Sequence, residues 1–365
     1  MVLARMEFNK KPVLIFWETT RACALSCKHC RASAIHSPLP GELTTEEGFK
    51  LINQITEFGE RYPLIIFTGG DPLARKDLPE LFAYTRKKGI KFAASPAVTS
   101  LLTHEKLHEI RDSGVTSISI SLDSAFAETH DGIRGIAGTF EKTLDVLRYA
   151  LAIGLPVQVN TTVMKQNISE LPKIFHLIKE LGVKTWEVFF LIKTGRGAAV
   201  QELSADECES VCNFLYDASR YGLVIRTVEA PFIRRVISMR AKQGKYWTEN
   251  QYVSLNSELS VLEGEPVSTT TLAPQGTLDG DGIIFISHDG DIFPGGFLPL
   301  SLGNIKNDNL VKIYQENKFL KSIRNRDFEG KCGTCEFKAV CGGSRARAYA
   351  AFGTPLASDS ACIKK

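Results

Sequence analysis

Long apolar runs are missing from this sequence: nowhere do about 18 apolar residues follow one another without interruption, the least a membrane-spanning helix needs. The segment from Met1 to Lys10 also lacks the apolar centre of a secretory signal. A soluble cytoplasmic protein is therefore the expectation. Charge of one sign is scarce as well. A net +3 over 365 residues, with no concentrated basic stripe, argues against nucleic acid as a partner. With 44% apolar residues the chain is too hydrophobic to be disordered and long enough to divide into one large and one smaller unit. No internal repeat is visible beyond a βα period. The nine cysteines do not have the even, dispersed spacing of a secreted disulfide framework. Seven fall into two groups, and in a cytoplasmic chain clustered thiols read as metal ligands.

What is present first is a rhythm. Short β-rich runs at 13–17, 64–67, 90–95, 117–122, 157–160 and 185–191 alternate with helical patterns at about 77–88, 103–113, 139–153 and 169–181. A further helix has apolar residues at Phe49, Ile52, Ile55 and Phe58 and a capping signal at Thr44. Six βα units with right-handed crossovers predict an α/β fold, a partial TIM-like (β/α)6 barrel over 12–195. Residues 196–281 hold a helix near Ser204 to Tyr221 and then a mixed stretch, read as a helical connection and possible lid. From Gly282 to Phe293 two strands flank a His288 to Asp291 turn, a β-hairpin opening a small C-terminal α+β domain over 282–365.

Cys23, Cys27 and Cys30 follow the first strand directly. Three thiolates on one loop can hold three irons of a cubane cluster and leave the fourth open, and an open metal position is where chemistry happens. A structural zinc loop would want four ligands at short spacing, and no fourth cysteine is near. Cys-x3-Cys-x2-Cys after strand one of a (βα)6 pattern resembles the radical S-adenosylmethionine superfamily. The resemblance implies a [4Fe–4S] cluster whose open iron is chelated by S-adenosyl-L-methionine, reductive cleavage to methionine and a 5′-deoxyadenosyl radical, and hydrogen abstraction from a substrate. It also implies a reducing electron donor such as ferredoxin or flavodoxin.

Further positions agree with that resemblance. Gly69, Gly70, Asp71 and Pro72 follow strand two, where the family's Gly-Gly-Glu/Asp-Pro motif binds the methionine amino group through backbone that only glycine lets approach. Taken alone, that run is a turn signal. Ser121 and Asp123 close strand four, and Arg134 is the residue the resemblance pairs with the methionine carboxylate. Ser95 after strand three, Asn160 and Thr162 after strand five, and Leu191 after strand six stand where the family contacts ribose or adenine, although strand ends also carry Ser, Asn and Thr as turn formers. His29 reads as neutral packing over the cluster, and Cys208 and Cys212 as buried thiols.

Cys332, Cys335, Cys341 and Cys362 follow the hairpin. They resemble the SPASM/twitch domain, which implies one auxiliary [4Fe–4S] cluster with four protein ligands, suited to electron transfer or structural support. The full SPASM pattern has more cysteines, at the hairpin and at the position held here by Arg345, so a further cluster is not expected. Zinc in a four-cysteine site is the alternative that spacing leaves open.

Around residues 27–32 and 341–348 the chain looks most like radical proteins of alternative haem and haem d1 biosynthesis, which implies a tetrapyrrole whose propionate or acetate side chains are changed. A basic segment, Arg234, Arg235, Arg240, Lys242 and Lys245, is placed to meet such carboxylates or to form a solvated helix face. A SPASM peptide maturase, or modification of another cofactor or a lipid, is the competing enzyme reading. A non-catalytic iron–sulfur electron carrier is the competing class and would bind no S-adenosylmethionine.

Overall fold

The computed structural model describes residues 8–364, so the residues 1–7 read above for a signal sequence lie outside it. Parallel strands alternate with helices as the rhythm predicts: β1 (Leu14–Glu18), α1 (Thr45–Thr56), β2 (Leu64–Thr68), α2 (Leu78–Lys87), β3 (Phe92–Ala94), α3 (His104–Asp112) and β4 (Ile118–Ser121). There follow α4 (Ala127–Arg134), α5 (Thr139–Ala152), β5 (Val157–Val163), α6 (Leu171–Glu180) and β6 (Thr185–Phe190). Local chemistry sets the boundaries. The Thr44 hydroxyl accepts from the Glu47 N–H at 3.2 Å, and the Glu47 carboxylate accepts from the Thr44 N–H at 2.9 Å, a reciprocal cap that starts α1.

The barrel does not stop at six strands. After α7 (Ala205–Ala218) a seventh, β7 (Val224–Val228), pairs in parallel with β6 from Thr185 opposite Val224 to Phe189 opposite Val228. Its signal was the β-branched run after Gly222, inside a stretch read as connection. The rest of that stretch is α8 (Ile233–Gln243) and α9 (Asn250–Glu263), then β8 (Leu278–Asp279). The lid reading does not match the position of α9, which is fastened outside the barrel to α6: Glu263 accepts from His176 at 2.7 Å, and Lys173 lies 3.1 Å from Glu258.

The hairpin forms as expected, from β9 (Gly282–Ile286) and β10 (Asp291–Phe293), with β11 (Gly303–Asn304) beside it. It is not separate from the barrel, however. β9 pairs in parallel with β1, so the sheet runs β11-β10-β9-β1-β2-β3-β4-β5-β6-β7, with β8 pairing to β9. Four helices complete the chain: α10 (Leu310–Glu316), α11 (Lys318–Asn325), α12 (Gly330–Thr334) and α13 (Arg345–Phe352).

Period two along the strands divides apolar from polar. In β5 Val157, Val159 and Val163 are buried, while Gln158, Asn160 and Thr162 line an internal cavity. In β6 Trp186 and Val188 pack toward the helices, and Glu187 and Phe189 face the cavity. The barrel is therefore a shell packed outside around a hollow lined by polar and apolar side chains together, rather than a filled core.

Candidate active site

One cavity of about 400 Å³ occupies the barrel, and Cys23, Cys27 and Cys30 line it. The loop that carries them is closed on itself: the Cys23 N–H donates to the Ile35 carbonyl at 2.7 Å. Two distant segments hold it. The end of α4 accepts from the Ser26 and Lys28 N–H groups through the Arg134 and Ile133 carbonyls at 3.2 and 2.9 Å. Arg196 donates to the Cys27 carbonyl at 2.9 Å and to the Ala34 carbonyl at 2.7 Å. Arg196 escaped the sequence reading; its signal was a Gly-Arg-Gly run just beyond a strand end. Gly195 is required beside it, because a Cβ there would sit 2.2 Å from the Arg31 carbonyl oxygen.

Each of the three sulfurs has a donor. The Leu25 N–H reaches Cys23 Sγ at 3.4 Å, the Ala34 N–H reaches Cys30 Sγ at 3.5 Å, and Arg134 Nη1 reaches Cys27 Sγ at 3.7 Å. Burial pushes the Cys23 thiol up to about 12, so a thiolate there needs a cation beside it. Three thiols gathered at a cavity wall, each with an N–H aimed at sulfur, fit an iron–sulfur cluster open on the cavity side.

The glycine pair is required by a close approach of the chain's own backbone, where the sequence argued for the approach of a ligand. Gly69 has φ +152°, and a Cβ on it would stand 2.5 Å from the Thr20 carbonyl oxygen; on Gly70 one would stand 2.4 Å from that of Ala22. The Gly70 and Asp71 N–H groups donate to these same two carbonyls at 2.8 and 2.7 Å, tying the turn to the cysteine loop. Both glycines line the cavity. Asp71 and Pro72 do not. The Asp71 carboxylate is fully buried and accepts from Thr99 Oγ1 at 2.8 Å and the Leu73 N–H at 3.1 Å, and Pro72 begins a short 3-10 turn. Their place is in shaping the turn.

Ser95, Ser121, Arg134, Asn160, Thr162 and Leu191 all line the cavity, though Asn160 and Thr162 lie within β5 and not after it. Asp123 is set behind them, fully buried. It holds Arg134 Nη2 at 2.5 Å and accepts from the Thr162 N–H at 2.8 Å. Asp123 therefore aims the guanidinium and does not face a ligand itself. Burial lowers the His29 ring to about 4, which keeps it neutral as expected, 3.8 Å from Asp123. Cys208 and Cys212 are buried in α7.

The second cysteine group sits past the hairpin. The Asp359 N–H points at Cys332 Sγ at 3.4 Å and the Phe337 N–H at Cys335 Sγ at 3.4 Å. Burial raises Cys341 to about 12, and Cys362 is near enough to act on it electrostatically. Arg345, at the position where the full SPASM pattern has a cysteine, is 1% exposed and turns Nη2 toward Cys332 Sγ at 3.8 Å. Its other donors are spent on the Pro355 and Ala357 carbonyls at 2.9 and 2.8 Å.

The basic segment behaves otherwise than expected. Arg235 makes a two-pronged pair with Glu209, one prong at 3.0 Å, with both side chains buried. Arg240 pairs with Asp217, which also accepts from Tyr252 at 2.6 Å. Both arginines turn inward because α8 packs on α7, which supplies those carboxylates. Lys242 and Lys245 are exposed. Only Arg234 of this set reaches the cavity, donating to the Val340 and Thr277 carbonyls at 3.0 and 2.7 Å.

Comparison with known proteins agrees with this arrangement. The model of the Radical SAM superfamily matches residues 17–178, and that of the SPASM iron–sulfur cluster-binding domain matches residues 279–336. An AdoMet-dependent heme synthase of Oleidesulfovibrio alaskensis is 38% identical, covering 96% of this chain and 86% of that protein. One of Methanosarcina barkeri is 37% identical over 98% of each. Among solved structures, Streptococcus suis SuiB bound to its precursor peptide SuiA superposes with a TM-score of 0.73 at 14% identity, covering 97% of this chain and 76% of SuiB, a likeness of fold alone. Two iron–sulfur centres and S-adenosylmethionine chemistry answer both the zinc alternative and the electron-carrier alternative: the chain is an enzyme and belongs to the radical SAM superfamily, among members with a C-terminal SPASM iron–sulfur domain.

Proposed function

We propose that this enzyme acts on an iron-bound tetrapyrrole and changes its propionate side chains. The observation that carries this reading is the wall of the cavity. Phe189, Phe285 and Phe297 line it together with Arg31, apolar rings beside a cation, as a flat aromatic bearing carboxylates requires, and Arg234 and Arg345 line it with guanidinium groups held by backbone carbonyls. Arg31 lies 4.5 Å over the Phe285 ring and is held by Glu18 at 2.8 Å. Similarity to AdoMet-dependent heme synthases along nearly the whole chain supports the same reading.

In it, Cys23, Cys27 and Cys30 hold the first cluster, which when bound supplies the electron that splits the sulfonium of S-adenosylmethionine. Gly69 and Gly70 give backbone to the methionine moiety, and Arg134, aimed by Asp123, takes its carboxylate. Ser95, Ser121, Asn160, Thr162 and Leu191 surround the nucleoside. Cys332, Cys335, Cys341 and Cys362 hold the auxiliary cluster, with Arg345 as donor to its sulfur side. The cavity runs between the two cysteine groups, from Cys23 to Gly343 and Arg345, which suits a substrate that passes an electron to the auxiliary site. A low-potential carrier such as ferredoxin or flavodoxin supplies the reducing electron, in the cytoplasm. Among the described residues no helix is long and apolar enough to cross a membrane.

Two experiments test this. Anaerobic protein should bind iron coproporphyrin with a Kd of about 1 µM or tighter, and its tetramethyl ester at least about tenfold more weakly, because charge-assisted pairs are lost. Deuterium from a propionate-labelled porphyrin should appear in 5′-deoxyadenosine. No porphyrin binding and no transfer would sink the tetrapyrrole reading in favour of a peptide. For the clusters, reconstituted protein should carry about eight irons and eight sulfides. Cys335→Ala should lose one cluster's absorbance yet still release 5′-deoxyadenosine without substrate; roughly four irons in the parent protein would remove the auxiliary cluster.

A further inference from the structure

Two carboxyl groups meet on the cavity wall where no part of the reading above uses them. Glu229 follows the edge strand β7, and Asp279 belongs to β8, beside β9. The two carboxyls stand close enough to act on each other, an arrangement favoured in a buried place only when one of them carries a proton. Both line the cavity. Glu229 Oε2 also accepts from the Ser344 hydroxyl at 2.5 Å. Asp279 Oδ2 is buried and has no hydrogen-bond partner in the protein. Gly295 makes room for the Asp279 carboxyl, since a Cβ there would stand 1.8 Å from Oδ1.

The surroundings favour keeping a proton on the pair. Burial, and then each carboxyl's effect on the other, raise Asp279 well above the ordinary carboxylate range, and burial raises Glu229. The charged groups facing them are Arg345, Arg347 and Asp359. Arg347 is shared between the Glu229 carbonyl at 2.9 Å and Asp359 at 3.4 Å, and Arg345 is engaged with backbone carbonyls and Cys332, so neither guanidinium pairs with the two carboxyls directly.

We propose that the Glu229–Asp279 pair is the subsite that receives a carboxyl group of the substrate, as a hydrogen-bonded assembly of three carboxyls holding two protons. The inference rests on the tetrapyrrole reading, which supplies the carboxyl. The proton balance is fixed: the pair contributes one proton, the substrate carboxylate none, and solvent the second. The bound state therefore holds one more proton than the free components, and affinity falls as pH rises, by about tenfold per unit while the free pair keeps its single proton.

The test is calorimetric titration of anaerobic, cluster-loaded protein with iron coproporphyrin, between about pH 7 and 8.5 in two buffers of different ionisation heat, which counts protons directly. The parent should take up about one proton per porphyrin bound. Asp279→Asn combined with Glu229→Gln, with iron content and melting temperature checked, leaves no carboxyl in the subsite and should take up none and lose the pH dependence; Asp279→Ala combined with Glu229→Gln gives a second, independent reading if the first variant fails to fold. Porphyrin binding with no uptake in the parent, or with uptake unchanged in both variants, overturns the subsite and leaves the tetrapyrrole reading standing. Failure of the parent to bind any porphyrin removes both.

Discussion

Replacing Cys23, Cys27 and Cys30 together with Ala should abolish release of 5′-deoxyadenosine in the presence of dithionite and S-adenosylmethionine, and should remove one cluster's absorbance. The expected effect is total because, among the described residues, these three are the only cysteines lining the cavity, and no fourth cysteine there is placed to retain a cluster after they go. The donors from Leu25, Ala34 and Arg134 favour charge on sulfur but cannot bind iron themselves. Chromatographic measurement of 5′-deoxyadenosine decides the matter. A triple variant that made as much as the parent would place the reductive cleavage elsewhere.

Arg235→Ala, by contrast, acts on stability. It strands Glu209, 1% exposed in its side chain, as a buried carboxylate left with the Tyr246 hydroxyl at 2.7 Å. Breaking a buried pair from one side costs about 3–5 kcal/mol, whereas removing both charges for apolar groups of similar size is close to neutral. The melting temperature of anaerobic holoenzyme should drop by several degrees in Arg235→Ala and recover in Arg235→Met combined with Glu209→Leu. Porphyrin affinity of the folded protein should stay at the parent's value, because Arg235 does not line the cavity. A loss of affinity without loss of stability would return Arg235 to the substrate role that its sequence neighbourhood suggested.

That contrast marks where reading along the chain stops being informative. A run of Arg and Lys on α8 has the same appearance whether it faces solvent, a ligand or a neighbouring helix. Helix packing of α8 on α7, which brings Glu209 to Arg235 and Asp217 to Arg240, settles it. Arg134 is similar. Its type suggested a carboxylate partner, and the structure places a protein carboxylate, Asp123, against it, so that it is aimed before any ligand arrives.

The alternation of strand and helix, the loop of three cysteines after β1, the glycine pair after β2, the hairpin and the second cysteine group were all legible along the chain. All of these are local: periodicity, caps and spacing within a few residues carry them. That β7 extends the barrel and that β9 joins it to the hairpin follow from the packed fold and not from any local signal. So do the turning of Asp71 away from the cavity, the clasp of Arg196 on the cysteine loop, and the meeting of Glu229 with Asp279. The physical reason is common to these cases. Each depends on which residues, tens to hundreds of positions apart, the curving of one sheet brings within hydrogen-bond reach, and no spacing along the chain encodes that distance.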